Sequence, residues 1–174
     1  VKNSKMIISL IGYMGSGKSH IAKLLSDRLG IKLIDLDKEI SKKNKMTIAE
    51  MFQKKGEIFF RRQERALLEE IVATEDSCIL SLGGGTPAYY NNMELINQNS
   101  ESIFLRTSVK NLTERLLKQK HKRPLIANIS DQDLPEFIAK HLFERNIFYN
   151  KAKYTVNTDD KTPEMIVEEL CDLL

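Results

Sequence analysis

The sequence predicts an α/β fold with a five-stranded parallel sheet, and three observations predict it. Short apolar runs recur along the chain, amphipathic helical segments separate them, and the first run breaks into a glycine-rich turn that opens a helix. Parallel neighbours need long crossovers, so strands alternating with helices place helices on both sheet faces. Met6–Ile11 is the first strand, bounded by Gly12. Ile21, Leu24, Leu25 and Leu29 then fall at helical spacing, and Gly30 supplies a stop. Lys32–Asp35 reads as the second strand, with Asp35-Leu36-Asp37 continuing its end. Thr47-Ile48-Ala49-Glu50 has capping-box spacing and opens a helix, and a second helical stretch after Gly56 carries Ile58, Leu67, Leu68, Ile71 and Val72. Two helices are therefore expected in that crossover. Residues 78–82 form the third strand and run into Gly83-Gly84-Gly85, and 102–105 form the fourth. Helix is expected from Ser108 to about Lys118 and again from Leu134. The basic, polar, proline-containing stretch between them, about 119–133, reads as a lid. Tyr154–Asn157 is a short fifth strand, and Thr162-Pro163 opens a last helix with Met165, Ile166, Leu170 and Leu173.

With 174 residues, 41% of them hydrophobic, the chain has the size of one domain with a sizeable core, expected over 1–174. No apolar run approaches the roughly 18 to 20 residues that cross a bilayer, so no membrane partner is expected, and the expected compartment is the cytoplasm. The two cysteines, Cys78 and Cys171, make neither a disulfide framework nor a metal cluster, and both are expected to be buried. A formal charge of +3 is too mild for a nucleic-acid binder. The most basic stretch, 118–123, also lacks interleaved aromatic residues on which bases could stack. Nothing points to an oligomer, and a monomer is expected.

Gly12-Tyr13-Met14-Gly15-Ser16-Gly17-Lys18-Ser19 matches the phosphate-binding pattern G-x-x-x-x-G-K-[ST] at every defined position, in the strand-to-helix context the pattern requires. Gly12, Gly15 and Gly17 let successive backbone N–H groups turn toward phosphate oxygens, and the helix N-terminus adds a favourable dipole. Lys18 is expected on the β- and γ-phosphates of ATP, with Met14, Ser16 and His20 completing the contact. The Ser19 hydroxyl is a ligand for Mg²⁺, and Asp35 can hold waters of the metal shell. On an extended segment Asp35 and Asp37 point the same way, and Asp37, one step farther out, can orient an acceptor hydroxyl and take its proton. Mg·ATP binding alone does not identify a kinase, because switches, motors and ATPases share this loop.

Four further features suit a small acidic acceptor. Arg61 and Glu64 are neighbours on one helical face, and a guanidinium so held presents a planar fork to a carboxylate. Gly83, Gly84 and Gly85 allow a polar ligand close to the main chain. Arg123, within Arg123-Pro124-Leu125, can bring positive charge to the transferring phosphoryl when the lid closes. Arg145 adds a second guanidinium from the next helix.

Taken in order, the phosphate loop, Asp35-Leu36-Asp37, Phe60-Arg61-Arg62-Gln63-Glu64, the triple glycine, Arg123-Pro124-Leu125 and the pair Arg145 and Tyr149 resemble the motifs of the shikimate kinases across nearly the whole chain. The resemblance implies a P-loop NTPase of the nucleoside-monophosphate-kinase-like type. That is a three-layer sandwich with strand order 2-3-1-4-5 and a lid, phosphorylating shikimate at its 3-hydroxyl. It also implies that Asp37 contacts the substrate hydroxyls, that Arg61 and Arg145 hold its carboxylate, and that Gly83 to Gly85 border its remaining polar edge. Arg123 would reach ATP phosphates from the lid. Arg115 is the nearest match to a family arginine against adenine, although its spacing to Arg123 is one residue longer, and Ile147-Phe148 stand where the family often has Pro-Leu. The alternatives are another small-molecule P-loop kinase, acting on gluconate or a nucleoside monophosphate, and a non-enzymatic ATP-dependent switch.

Overall fold

The computed structural model describes residues 5–174. Five parallel strands, β1 (Met6–Ile11), β2 (Lys32–Asp35), β3 (Ser77–Ser81), β4 (Glu101–Arg106) and β5 (Tyr154–Asn157), form one sheet in the order β2-β3-β1-β4-β5. Alternation along β1 divides the interior. Ile7 and Ile11 join one apolar cluster, and Ile8 and Leu10 join the other. Against the Ile8 and Leu10 face pack α1 (Lys18–Leu29) through Ile21 and Leu25 and α8 (Pro163–Leu173) through Ile166 and Leu170. The opposite face is covered by α4 (Glu57–Thr74) through Phe60 and Leu68 and by α6 (Val109–Gln119) through Leu112 and Leu116. Ile138 and Leu142 bring α7 (Leu134–Tyr149) onto the same face. No helix among the described residues is long and apolar enough to cross a membrane.

Three differences from the sequence expectation bear on the site. The crossover from β2 to β3 holds three helices, because α2 (Leu36–Asn44) precedes α3 (Ile48–Lys55) and α4. Asp35 and Asp37 therefore do not share an extended segment. Asp35 ends β2 with extended φ/ψ and caps α2, its Oδ1 accepting from the Lys38 N–H at 3.1 Å, whereas Asp37 stands in the first helical turn. A further helix, α5 (Asn92–Asn99), fills the crossover after the triple glycine. Cys78 is buried as expected, but Cys171 is only half-buried.

Strand register sets the site. Leu10 of β1 and Asp35 of β2 both pair with Ser81 of β3, and the Leu82 N–H donates to the Leu10 carbonyl at 3.2 Å. The phosphate loop, the Asp35 cap and the triple glycine therefore leave three adjacent strand ends at one level, on the edge where open parallel sheets bind ligands. Between α6 and α7 the chain makes a short 3₁₀ turn at Lys120–Lys122, and Ile126 is fully enclosed in the core.

Candidate active site

Two cavities meet over these strand ends. The larger, about 580 Å³, runs along the phosphate loop from Met14 through Gly15, Ser16, Gly17, Lys18 and Ser19 to His20. Asp35, Asp37, Arg115 and Arg123 also line it, together with Lys118, Gln119, Thr158 and Lys161, which no sequence motif marked. The smaller, about 290 Å³, is walled by Arg61, Glu64, Gly83, Gly84, Gly85 and Arg145. Tyr13, Met14, Asp37, Gly83 and Gly84 belong to both. Asp37 is the one carboxylate common to the two cavities among the described residues, where a group passing from one ligand to another would travel.

In the phosphate loop, Gly15 and Gly17 have φ of 82° and 87°, so the left-handed turns need glycine there. Gly12 is needed for space instead, since a Cβ would stand 2.8 Å from Ser16 Oγ and 3.1 Å from the Leu105 carbonyl oxygen. It lies behind the cavity wall, and its carbonyl accepts from Lys18 Nζ at 2.7 Å. Burial, together with the charge of Arg123, holds the Lys18 ammonium down at about 8 despite Asp37 and Asp35 nearby. Arg115 donates to the Gly15 carbonyl at 3.1 Å, which fixes it beside the loop. Arg123 Nη2 donates to Gln119 at 3.2 Å, while its Nε and the Ser16 hydroxyl are buried without a hydrogen-bond partner. Such orphaned groups beside a cationic cavity fit an anionic ligand.

Burial raises the Asp37 carboxyl to about 6, reinforced by Glu64 and Asp35 and opposed by Lys18 and Arg61. A carboxyl in that range can accept a proton near neutral pH.

In the smaller cavity, Arg61 Nη1 donates to both oxygens of Glu64, at 3.0 and 3.3 Å. Glu64 is 1% exposed and also accepts from the Thr86 hydroxyl at 2.8 Å. Asn92 Nδ2 donates to the Thr86 carbonyl at 2.8 Å, and Arg65 donates to Asn92 Oδ1 at 2.9 Å. A buried polar chain thus stands behind Arg61, of which the sequence pattern marks only Glu64, not Thr86, Asn92 or Arg65. They meet only because α5 packs against α4, which no local pattern announces. Arg145 Nη1 donates to the Gly84 carbonyl at 2.8 Å, joined there by the Tyr149 hydroxyl at 2.6 Å. Tyr149, its phenol pushed up to about 12 by burial, is the aromatic member of the Arg145 and Tyr149 motif. The Tyr13 hydroxyl and His141 Nδ1 lie 2.9 Å apart and tie the phosphate loop to α7.

The triple glycine lines the smaller cavity as expected, and it also makes room for side chains of the site. None of the three has a positive φ, and Asp37, Arg61 and Arg145 come close to the main chain there. A Cβ on Gly83 would stand 2.9 Å from Asp37 Oδ1. One on Gly85 would stand 2.6 Å from Arg61 Nη2 and 2.9 Å from Arg145 Nη1, so both guanidiniums converge on one point. Every residue expected to hold the acceptor lines one cavity. Phe52, Phe60, Leu125 and His141 add apolar and aromatic walls that single-residue chemistry did not reveal.

The residues present fit a magnesium ion that arrives with its nucleotide. Ser19 and Asp35 line the larger cavity, and the described residues contain no cluster of three His, Cys, Asp or Glu able to cage a metal. A hydroxyl and one carboxylate suit an ion that keeps phosphate oxygens and water as its main ligands.

Comparison with known proteins agrees with this arrangement. The family model described as shikimate kinase matches residues 14–174. The shikimate kinase of Flavobacterium psychrophilum is 45% identical over 96% of this chain and 98% of its own length. Among solved structures, shikimate kinase from Bacteroides thetaiotaomicron has a TM-score of 0.90 at 35% identity, with 98% of each chain covered. Shikimate kinase from Acinetobacter baumannii in complex with shikimate has a TM-score of 0.87 at 28% identity, covering 99% of this chain and 93% of that one. With its strand order, its phosphate loop and its paired guanidiniums all accounted for, the chain belongs to the shikimate kinase family.

Proposed function

We propose that this chain transfers the γ-phosphoryl group of ATP to the 3-hydroxyl of shikimate, giving 3-phosphoshikimate and ADP, and that it does so as a monomer in the cytoplasm. The observation that carries the reading is the convergence of Arg61 and Arg145 over Gly85, beside an Asp37 common to both cavities. Two forked cations aimed at one point suit a carboxylate, and a carboxyl raised to about 6 suits removal of a hydroxyl proton at neutral pH.

The transfer follows from these positions. Backbone N–H groups from Gly15 to Ser19 and the Lys18 ammonium hold the triphosphate, with Arg115 beside the loop at the nucleotide end. Arg61 and Arg145 fix the substrate carboxylate, which leaves its hydroxyls facing Asp37 and the edge from Gly83 to Gly85. Asp37 orients the 3-hydroxyl and takes its proton as the oxygen attacks the γ-phosphorus in line. The bond to the β,γ-bridging oxygen breaks, and ADP leaves. Lys18 and Arg123 stabilise the charge spread over the transferring oxygens. The Ser19 hydroxyl and, through water, Asp35 would hold the Mg²⁺ that accompanies the triphosphate, and that ion would supply neutralisation of phosphate charge. Arg123 of segment 119–133 already lines the larger cavity, and closure of that segment over the triphosphate excludes water that would otherwise take the phosphoryl group.

A coupled ADP-release assay with ATP and magnesium tests the reading: release that depends on shikimate supports it. Equal release without an acceptor, or with gluconate or a nucleoside monophosphate in its place, rejects it. Two variants separate the arginines. Arg123→Ala is expected to lower kcat roughly a hundredfold with little change in shikimate KM, as loss of a transition-state contact does. A parallel loss of affinity would remove Arg123 from that role. Arg61→Lys keeps the charge but loses the fork, and steady-state kinetics should give a shikimate KM about ten- to a hundredfold higher. An unchanged KM rejects the carboxylate contact.

A further inference from the structure

Arg61 is gripped on more sides than its partnership with Glu64 requires. The Tyr89 ring lies against the guanidinium, with 3.9 Å from Arg61 Cζ to the ring centroid, and the Phe60 ring stands at 5.0 Å. The Tyr89 hydroxyl donates to Glu57 Oε1 at 2.6 Å. That same oxygen stands 3.5 Å from Arg61 Nε, an ion-pair separation that leaves Nε buried without a hydrogen bond. Tyr89, Glu57 and Arg61 therefore close a ring. Neither Tyr89 nor Glu57 lines the acceptor cavity, and neither belongs to the ordered motifs. Tyr90, next in the chain, has φ of 49°, a left-handed conformation that a tyrosine keeps only where its surroundings enforce it. The backbone is thus turned away as soon as the Tyr89 ring has been delivered.

A guanidinium binds a carboxylate through an edge, so the orientation of its plane decides whether the fork is presented. The ion pair to Glu64 through Nη1 alone leaves rotation about that contact open. A ring stacked on the flat face removes it, and a carboxylate beside Nε fixes the remaining edge. What is left over is Nη2, directed at the space above Gly85.

We propose that Tyr89, supported by Glu57, is a positioning residue for the acceptor, setting the plane in which Arg61 presents its free edge to the substrate carboxylate. The proposal rests on the reading of Arg61 as a carboxylate ligand. Tyr89→Leu removes the stack and is expected to raise shikimate KM about tenfold, with kcat and ATP KM within about twofold of the parent. Tyr89→Phe keeps the ring and is expected to stay within about threefold. In an Arg61→Lys background there is no guanidinium plane to set, so adding Tyr89→Leu should raise KM no further. Glu57→Gln, at a side chain half exposed to solvent, is a second route to the same loss should Tyr89→Leu fold poorly; about a threefold rise in shikimate KM alone is expected.

An unchanged shikimate KM in Tyr89→Leu and Glu57→Gln, beside a raised one in Arg61→Lys, overturns the clamp and leaves the acceptor reading intact. If Arg61→Lys is itself silent, the acceptor reading fails and the clamp falls with it. Parallel changes in kcat, ATP KM and melting temperature, or multiplying effects in the double variant, would assign Tyr89 a general structural role and also overturn the proposal.

Discussion

Asp37→Asn is expected to lower kcat by about a thousandfold while making the ligand-free protein more stable at neutral pH. The two effects share one cause. The Asp37 carboxyl is raised from its ordinary value to about 6 because burial beside Glu64 and Asp35 penalises the charged form. A carboxyl raised in the folded state contributes stability that is fully present below its unfolded value, near 3.8, and is lost as pH rises through about 6. At pH 7.5 the wild-type protein therefore holds a disfavoured carboxylate that asparagine does not have. The shift of about two pH units corresponds to at most about 3 kcal/mol. Loss of the carboxylate that supports the buried Lys18 ammonium offsets part of this, so a net gain of about 1 kcal/mol, or roughly 2 to 4 °C in Tm, is expected. Thermal melts should show the variant above the parent at pH 7.5 and the two converging as pH falls below 4. Rate measurements should show kcat/KM of the parent falling as pH drops through about 6, with that limb absent from the variant. A variant no more stable than the parent at pH 7.5 would mean that burial does not disfavour the carboxylate, and a kcat within tenfold of the parent would remove Asp37 as the base.

Which parts of this site are legible without coordinates depends on whether a signal is local. The phosphate loop is legible because strand, glycines, Lys18 and Ser19 are contiguous and each position has its own steric or charge requirement. The strands were legible as apolar runs ending in turns. Helix α2 was not: its segment Leu36–Asn44 offers only Leu36 and Ile40 as buried residues, and it begins at once after β2. The capping acid Asp35 therefore reads as the end of a strand. A first helical turn and an extended step both leave Asp37 near the strand end, so the helix changes its geometry without changing its place at the site. Helix α5 gives no clear sequence signal for a similar reason, its short segment burying only Asn92, Met93 and Ile96. The support that reaches Arg61 from outside its own helix was illegible. Glu64 is three residues away on the same helix, whereas Thr86, Tyr89 and Asn92 arrive from another crossover, and their partners are set by packing rather than by spacing.

Gly85→Ala is expected to reduce kcat/KM for shikimate about a thousandfold in a protein that still folds and still binds ATP, since two charge-assisted contacts of about 1.5 to 3 kcal/mol each are disturbed together. Gly85 has φ of −91° and ψ of −16°, a conformation open to alanine, so backbone strain contributes nothing. The added methyl instead occupies the point where the guanidiniums meet, 2.6 Å from Arg61 Nη2 and 2.9 Å from both Arg61 Nη1 and Arg145 Nη1. These are side-chain ends, free to swing aside at little cost to the fold. Swinging aside, however, takes Arg61 from Glu64 and the Tyr89 ring, and takes Arg145 from the Gly84 carbonyl. The expected pattern is a shikimate KM raised by two orders of magnitude or more, an ATP KM within about twofold, and a melting temperature within a few degrees of the parent. Retention of wild-type shikimate KM in a folded Gly85→Ala protein would show that the acceptor is not held at the convergence of Arg61 and Arg145. A carboxylate site elsewhere in the cavity, nearer His141 and Leu125, would then have to be sought.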